Sequence, residues 1–170
     1  FALSTFMTPV EQLPEIAQTA EAAGWQMVTM SDHVVNPQTL TTPYPYTDDG
    51  SRRWPEFTDW ADQLVTMGAL ATCTKTIRFN TNAFVLPMRN PFLVAKAIAT
   101  ISVLSGNRQV LTIGVGWSKD EFGLLGQDFH TRGKRCDEMI EVMKLIWSGK
   151  YVSYDGQYYK FDNIESNPKP

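Results

Sequence analysis

The sequence predicts an α/β fold on parallel strands: about the N-terminal half of a (β/α)8 TIM barrel, with residues 1–170 as one partial domain. Three observations carry that reading. Apolar runs of strand length alternate along the chain with segments of helical periodicity. Three of the runs end in polar or glycine-rich clusters, Ser31-Asp32-His33, Asn80-Thr81-Asn82-Ala83 and Gly114-Val115-Gly116-Trp117, and in parallel α/β folds ligand sites form at the carboxyl ends of strands. Only four β-α units fit into 170 residues, whereas a closed eight-stranded barrel needs about 200 to 250 or more.

The elements follow in order. Phe1 to Thr5 reads as the tail of a first strand. Thr8-Pro9-Val10-Glu11 has the form of a capping box with proline at the first helical position; Leu13, Ile16, Ala17 and Ala20 then share a face, and Gly24 closes the helix. Trp25 to Met30 is the second strand, and Asn36 to Pro55 is a long loop of the kind that forms lids and binding loops. Thr58 is placed to cap a helix running to about Ala71. Ile77 to Leu86 is the third strand, and Asn90-Pro91 caps a helix from Phe92 to Leu104. Gln109 to Ile113 is the fourth strand. It ends where Gly114 and Gly116 let backbone approach a flat ligand. A helix over Asp137 to Trp147 and a hairpin over Val152 to Phe161, signalled by Asp155-Gly156, complete the chain.

Composition narrows the function. A hydrophobic content of 43% supports one core, and a net charge of −3 without a basic run argues against nucleic-acid and anionic-membrane partners. No apolar stretch approaches the ~20 residues of a membrane span, and no signal-peptide pattern is present. Cys73 and Cys136 are far apart with no histidine cluster, which fits reduced thiols in a cytoplasmic protein and no metal site. The chain starts with Phe1 and stops at Asn167-Pro168-Lys169-Pro170, so both ends read as cut. Four parallel strands left open would expose a pairing edge, which predicts a homodimer or a longer parent chain.

On chemistry alone His33 has two readings. It either finishes a strand by bonding to the following loop or acts as an acid–base group, and Asp32 beside it could hold the imidazole or cap the loop. Asn82 inside a strand signals either a bulge or ligand site, or an amide satisfying an interior hydrogen bond. Asp120 and Glu121 fall in a helix's first turn, where acids favour the macrodipole, and are read as caps. Arg132, Lys134 and Arg135 are read first as a solvated basic face, with contact to a polyanionic cofactor tail as the lesser alternative.

The stretches AEAAGWQMVTMSDHV, RNPFLVAKA, LSGNR, GVGWSKDEF and VSYDGQYYKF together resemble the luciferase-like oxidoreductases, barrel enzymes using FMN or the deazaflavin coenzyme F420. Pro43-Tyr44-Pro45-Tyr46, Asp49-Gly50 and Trp54-Pro55 resemble the F420-dependent subgroup. The resemblance implies an oxidoreductase acting on a small organic substrate, with F420 as cofactor and FMN-dependent monooxygenation as the alternative. A flavin-binding barrel without turnover is a third reading. The resemblance further implies Asp32 and His33 as catalytic residues beside the ring, a cis peptide at Asn82–Ala83 beneath it, and Gly114, Val115, Gly116 and Trp117 as further cofactor contacts. Trp117 departs from the sugar dehydrogenases of the family, which place a catalytic glutamate at that position. The resemblance therefore does not carry sugar oxidation.

Overall fold

The computed structural model describes all 170 residues. Strands β1 (Ala2–Ser4), β2 (Met27–Met30), β3 (Arg78–Thr81) and β5 (Gln109–Val110) pair in that order, all parallel, and β4 (Phe84–Val85) pairs parallel with β6 (Ile113–Gly114). The third and fourth expected strands are thus each split in two. Thr81 explains how the sheet survives the break: its hydroxyl donates to Thr112 O and accepts from Thr112 N–H, both at 2.9 Å, where the backbone ladder lapses. Phe84 N–H then donates to Thr112 O at 2.8 Å and restarts the pairing.

Helices α1 (Leu13–Ala22), α2 (Gln63–Cys73), α3 (Pro91–Ser105) and α5 (Arg132–Ile146) cover one face of the sheet, and the short α4 (Lys119–Leu124) follows β6. Two core clusters result. Ala17, Val28, Met67, Leu70 and Phe79 fill the first; Phe84, Leu86, Ile98, Met139 and Met143 fill the second. The alternation along β3 decides which residues point there, since Phe79 is buried at 0% exposure while Asn80 turns the other way to accept from Thr112 Oγ1.

The helix ends show where local signals held. Asn90 accepts from Phe92 N–H and Leu93 N–H at 2.9 and 3.3 Å, and Gly106 closes α3 in the left-handed conformation. Thr8 caps nothing: the segment enters α1 through a 3-10 turn at Val10–Gln12 with no side-chain cap, because Pro9 is extended. Thr58 donates to Pro55 O instead, and Asp62 caps α2, because the irregular loop continues past Trp60 before the helix begins. The hairpin of β7 (Val152–Asp155) and β8 (Lys160–Ile164) turns through four residues, 156–159, and not at a tight Asp155-Gly156 pair. Glu138 of α5 decides that geometry by accepting from Gln157, Tyr158 and Tyr159 N–H.

Candidate active site

Strands β2, β4 and β6 end at one rim, and the long loop folds over it. Between them lies a cavity of about 500 Å³, lined from the strands by Ser31, Asp32, His33, Asn82, Ala83, Val85, Gly114, Val115, Gly116 and Trp117. The loop adds Tyr44, Tyr46, Arg53, Trp54 and Trp60. That volume lies within the range of small-molecule and cofactor sites. All the residues expected at the site therefore meet there.

Asp32 and His33 are neighbours in sequence and go opposite ways, as successive residues of extended chain do. Asp32 binds Arg89 through both oxygens at 2.7 Å and also accepts from Val85 N–H at 2.7 Å. Arg89 in turn lies 4.2 Å over the Phe84 ring. Asp32 thus neither holds the imidazole nor caps the loop; it ties the end of β2 to β4 and the approach to α3.

The partner of His33 is Glu121, whose Oε2 lies 2.8 Å from Nδ1 while its Oε1 accepts from Val34 N–H at 2.9 Å. Glu121 is only 2% exposed, so the reading of it as a helix cap is corrected: Ser118 caps α4, accepting from Glu121 N–H, and the Glu121 carboxylate crosses to β2. Asp120 likewise reaches the loop, accepting from Thr41 and Thr42 N–H and the Thr41 hydroxyl. The Thr41 hydroxyl first, and the Thr42 and Thr41 N–H groups after it, hold the Asp120 carboxyl below its ordinary value against an opposing effect of burial.

Because Glu121 accepts at Nδ1, a neutral His33 carries its proton there and leaves Nε2 as an acceptor. Nε2 has no protein hydrogen-bond partner. The indoles of Trp54 and Trp60 pack 4.6 Å from the imidazole centroid and Trp117 packs at 6.0 Å, so the ring is sleeved in aromatic surface. Nε1 of Trp54 and of Trp60 is buried without a protein partner.

The Asn82–Ala83 peptide is cis, as the resemblance implies, and Asn82 N–H donates to Met30 O at 2.6 Å. The two glycines serve packing. A Cβ at Gly116, which has φ +80, would meet Val85 Cγ1 at 2.6 Å, and one at Gly114 would meet Ala83 Cβ at 3.2 Å. The basic cluster is also corrected. Arg132 donates to Gly116 O, and Arg135, 7% exposed, donates to Pro87 O; only Lys134 is solvated. Both arginines brace the turns of the site because their guanidinium groups reach free carbonyls there.

A family model described as luciferase-like monooxygenase matches residues 3–170. The chain belongs to that family. Among luciferase-like relatives, an uncharacterized Mycobacterium tuberculosis protein is 34% identical over 170 residues, covering 100% of this chain and 59% of the relative. An F420-dependent glucose-6-phosphate dehydrogenase of Amycolatopsis mediterranei is 30% identical over 162 residues, covering 93% of this chain and 44% of its own. An F420-dependent secondary alcohol dehydrogenase solved with an F420-acetone adduct superposes with a TM-score of 0.78 at 25% identity, over 100% of this chain and 48% of that one. A type II Baeyer-Villiger monooxygenase from Pseudomonas putida, solved with FMN, superposes with a TM-score of 0.74 at 19% identity, over 96% of this chain and 43% of that one. The chain thus spans about half the length of its relatives, and its parallel sheet is a partial barrel. No helix is long and apolar enough to cross a membrane.

Sequence reasoning missed Glu121, Arg89 and Trp60 as parts of the site. Glu121 gave no signal distinct from a first-turn acid, and Arg89 lies beyond the strand end it braces. Trp60 had one available signal, a large aromatic in a polar loop, which needs a cavity to bury it.

Proposed function

We propose that the whole protein is an oxidoreductase that oxidises a small alcohol, or reduces the matching carbonyl, with F420 as its hydride carrier. The observation that carries this reading is His33, with Nδ1 held by Glu121 at 2.8 Å and Nε2 left free at a cavity. The residues fit a flat polar ring: the cavity joins apolar walls to Asn82, whose amide has no protein partner, and to strand-end backbone at Ala83, Gly114 and Val115. Those residues would hold it. F420, when bound, supplies the acceptor for a hydride. His33 Nε2 would accept the substrate's hydroxyl proton, and Glu121 would stabilise the imidazolium so formed. Asp32 acts through Arg89 by fixing the strand end that carries His33. The aromatic sleeve excludes water.

The F420-dependent proteins among the relatives support this choice over FMN, as does an acid–base pair suited to alcohol chemistry. Mixing full-length protein with oxidised F420 and short alcohols, followed by cofactor absorbance, tests it. Cofactor reduction is expected. Oxygen uptake with reduced FMN and no turnover with F420 would overturn the reading in favour of a monooxygenase.

A further inference from the structure

The charged side chains around the cavity are paired, with one exception. Asp32 is neutralised by Arg89 and His33 faces Glu121, each pair within 2.8 Å. Arg53 also lines the cavity, and its guanidinium meets no carboxylate; its only hydrogen bond goes to the Tyr46 carbonyl. The adjacent Arg52, by contrast, is paired with Glu56 at 3.1 Å. One guanidinium without a carboxylate partner therefore stands exposed on the loop at the rim of an otherwise aromatic cavity. Beside it stands the apolar wall formed by Trp54, Trp60 and Trp117.

We propose that the substrate is an anionic hydroxy compound, a carboxylate on an apolar body, and that Arg53 selects it. The inference rests on the proposed alcohol chemistry and names its substrate class. The aromatic walls take the apolar body, His33 meets the hydroxyl, and Arg53 meets the carboxylate at the rim. A guanidinium suits that end because its planar donors match a carboxylate fork.

The test uses full-length protein with a hydroxy carboxylate and its methyl ester, comparing the natural protein with Arg53→Gln and Arg53→Lys. Steady-state F420 reduction and quenching of tryptophan fluorescence, which three cavity indoles should report, are both read. The natural protein should favour the acid over the ester about 10-fold in KM, the scale of one charge-assisted hydrogen bond. Arg53→Gln should erase that preference by weakening the acid alone, with kcat and F420 affinity held, and Arg53→Lys should restore part of it. Equal handling of acid and ester by the natural protein would overturn the proposal. So would an Arg53→Gln variant that loses F420 affinity while keeping its discrimination, since the charge would then serve the cofactor. If no alcohol is oxidised but quenching still separates acid from ester through Arg53, the selection stands and the reaction falls. If alcohols are oxidised and Arg53→Gln changes nothing, the reaction stands and the selection falls.

Discussion

The two ends of the sheet use the same device to opposite effect. At the amino ends of the strands, Glu21 accepts from the N–H groups of Lys75, Thr76 and Ile77, closing the turn into β3. Arg108 beside it donates to carbonyls of Ala71, Thr74, Ile77 and Ser105 and to the Thr74 hydroxyl, and lies 4.8 Å over Phe79. Both side chains are committed to protein partners. At the carboxyl ends, Glu121 and Asp120 again grip successive N–H groups of a loop, yet side chains there keep capacity that no protein group takes up: His33 Nε2, the Asn82 side-chain amide and the Arg53 guanidinium, which reaches only the Tyr46 carbonyl. One end commits its charged groups to closing turns; the other leaves donor and acceptor capacity facing a cavity, which is what a ligand site needs.

The sharpest way to break that contrast is His33→Ala in the full-length protein. Turnover should fall about 100- to 10,000-fold, as for loss of a positioned acid–base group, with little change in cofactor affinity. Stopped-flow reading of the cofactor redox step, with a separate binding titration, checks it; unchanged rates would make His33 structural. Arg108→Ala should do the reverse. Orphaning several carbonyls at once should cost about 3 kcal/mol of stability, read by urea unfolding, while kcat of the surviving folded enzyme holds.

Smaller effects should separate the two carboxylates. Glu121→Gln should slow turnover roughly 10- to 100-fold, because an amide still accepts from Val34 N–H but cannot stabilise a protonated imidazole. A flattened acid limb in the pH–rate profile would accompany it. Glu21→Gln should cost about 1 kcal/mol, since the site is partly open to solvent, and leave the pH–rate profile untouched. Glu21 also carries a pH signature. Burial opposes its ionised form, but the N–H groups of Ile77, Thr76 and Lys75 outweigh this and hold its pKa down from 4.5 to about 2. Its stabilising contribution is therefore complete above pH 4.5 and is lost as pH falls toward 2. Acid unfolding of Glu21→Gln should be shallower across that window.

The pattern of β-α units, the Asn90 cap, the Gly24 stop and the strand-end clusters were all legible in the sequence, because each depends on residues close together along the chain. Local capping signals failed where a distant group competed. Thr8 and Thr58 had the right chemistry, but Pro9 is extended and the loop runs on to Asp62. Asp155-Gly156 had turn chemistry, but the Glu138 carboxylate draws three N–H groups into a wider loop.

The candidate site divides the same way. Asp32, His33, Asn82, Ala83 and the Gly114–Trp117 turn are marked by sequence, since polar residues and glycines that end apolar strands can only lie at a rim. Their partnerships belong to the tertiary structure. Adjacent Asp32 and His33 suggest a pair, yet alternation along extended chain sends one to Arg89 and the other to Glu121, 88 positions away. The indole sleeve depends on a loop closing over the strands, and the lack of a carboxylate partner for Arg53 is visible only once the neighbouring side chains have found theirs. Sequence determined which groups reach the rim; packing decided which of them remain free to act.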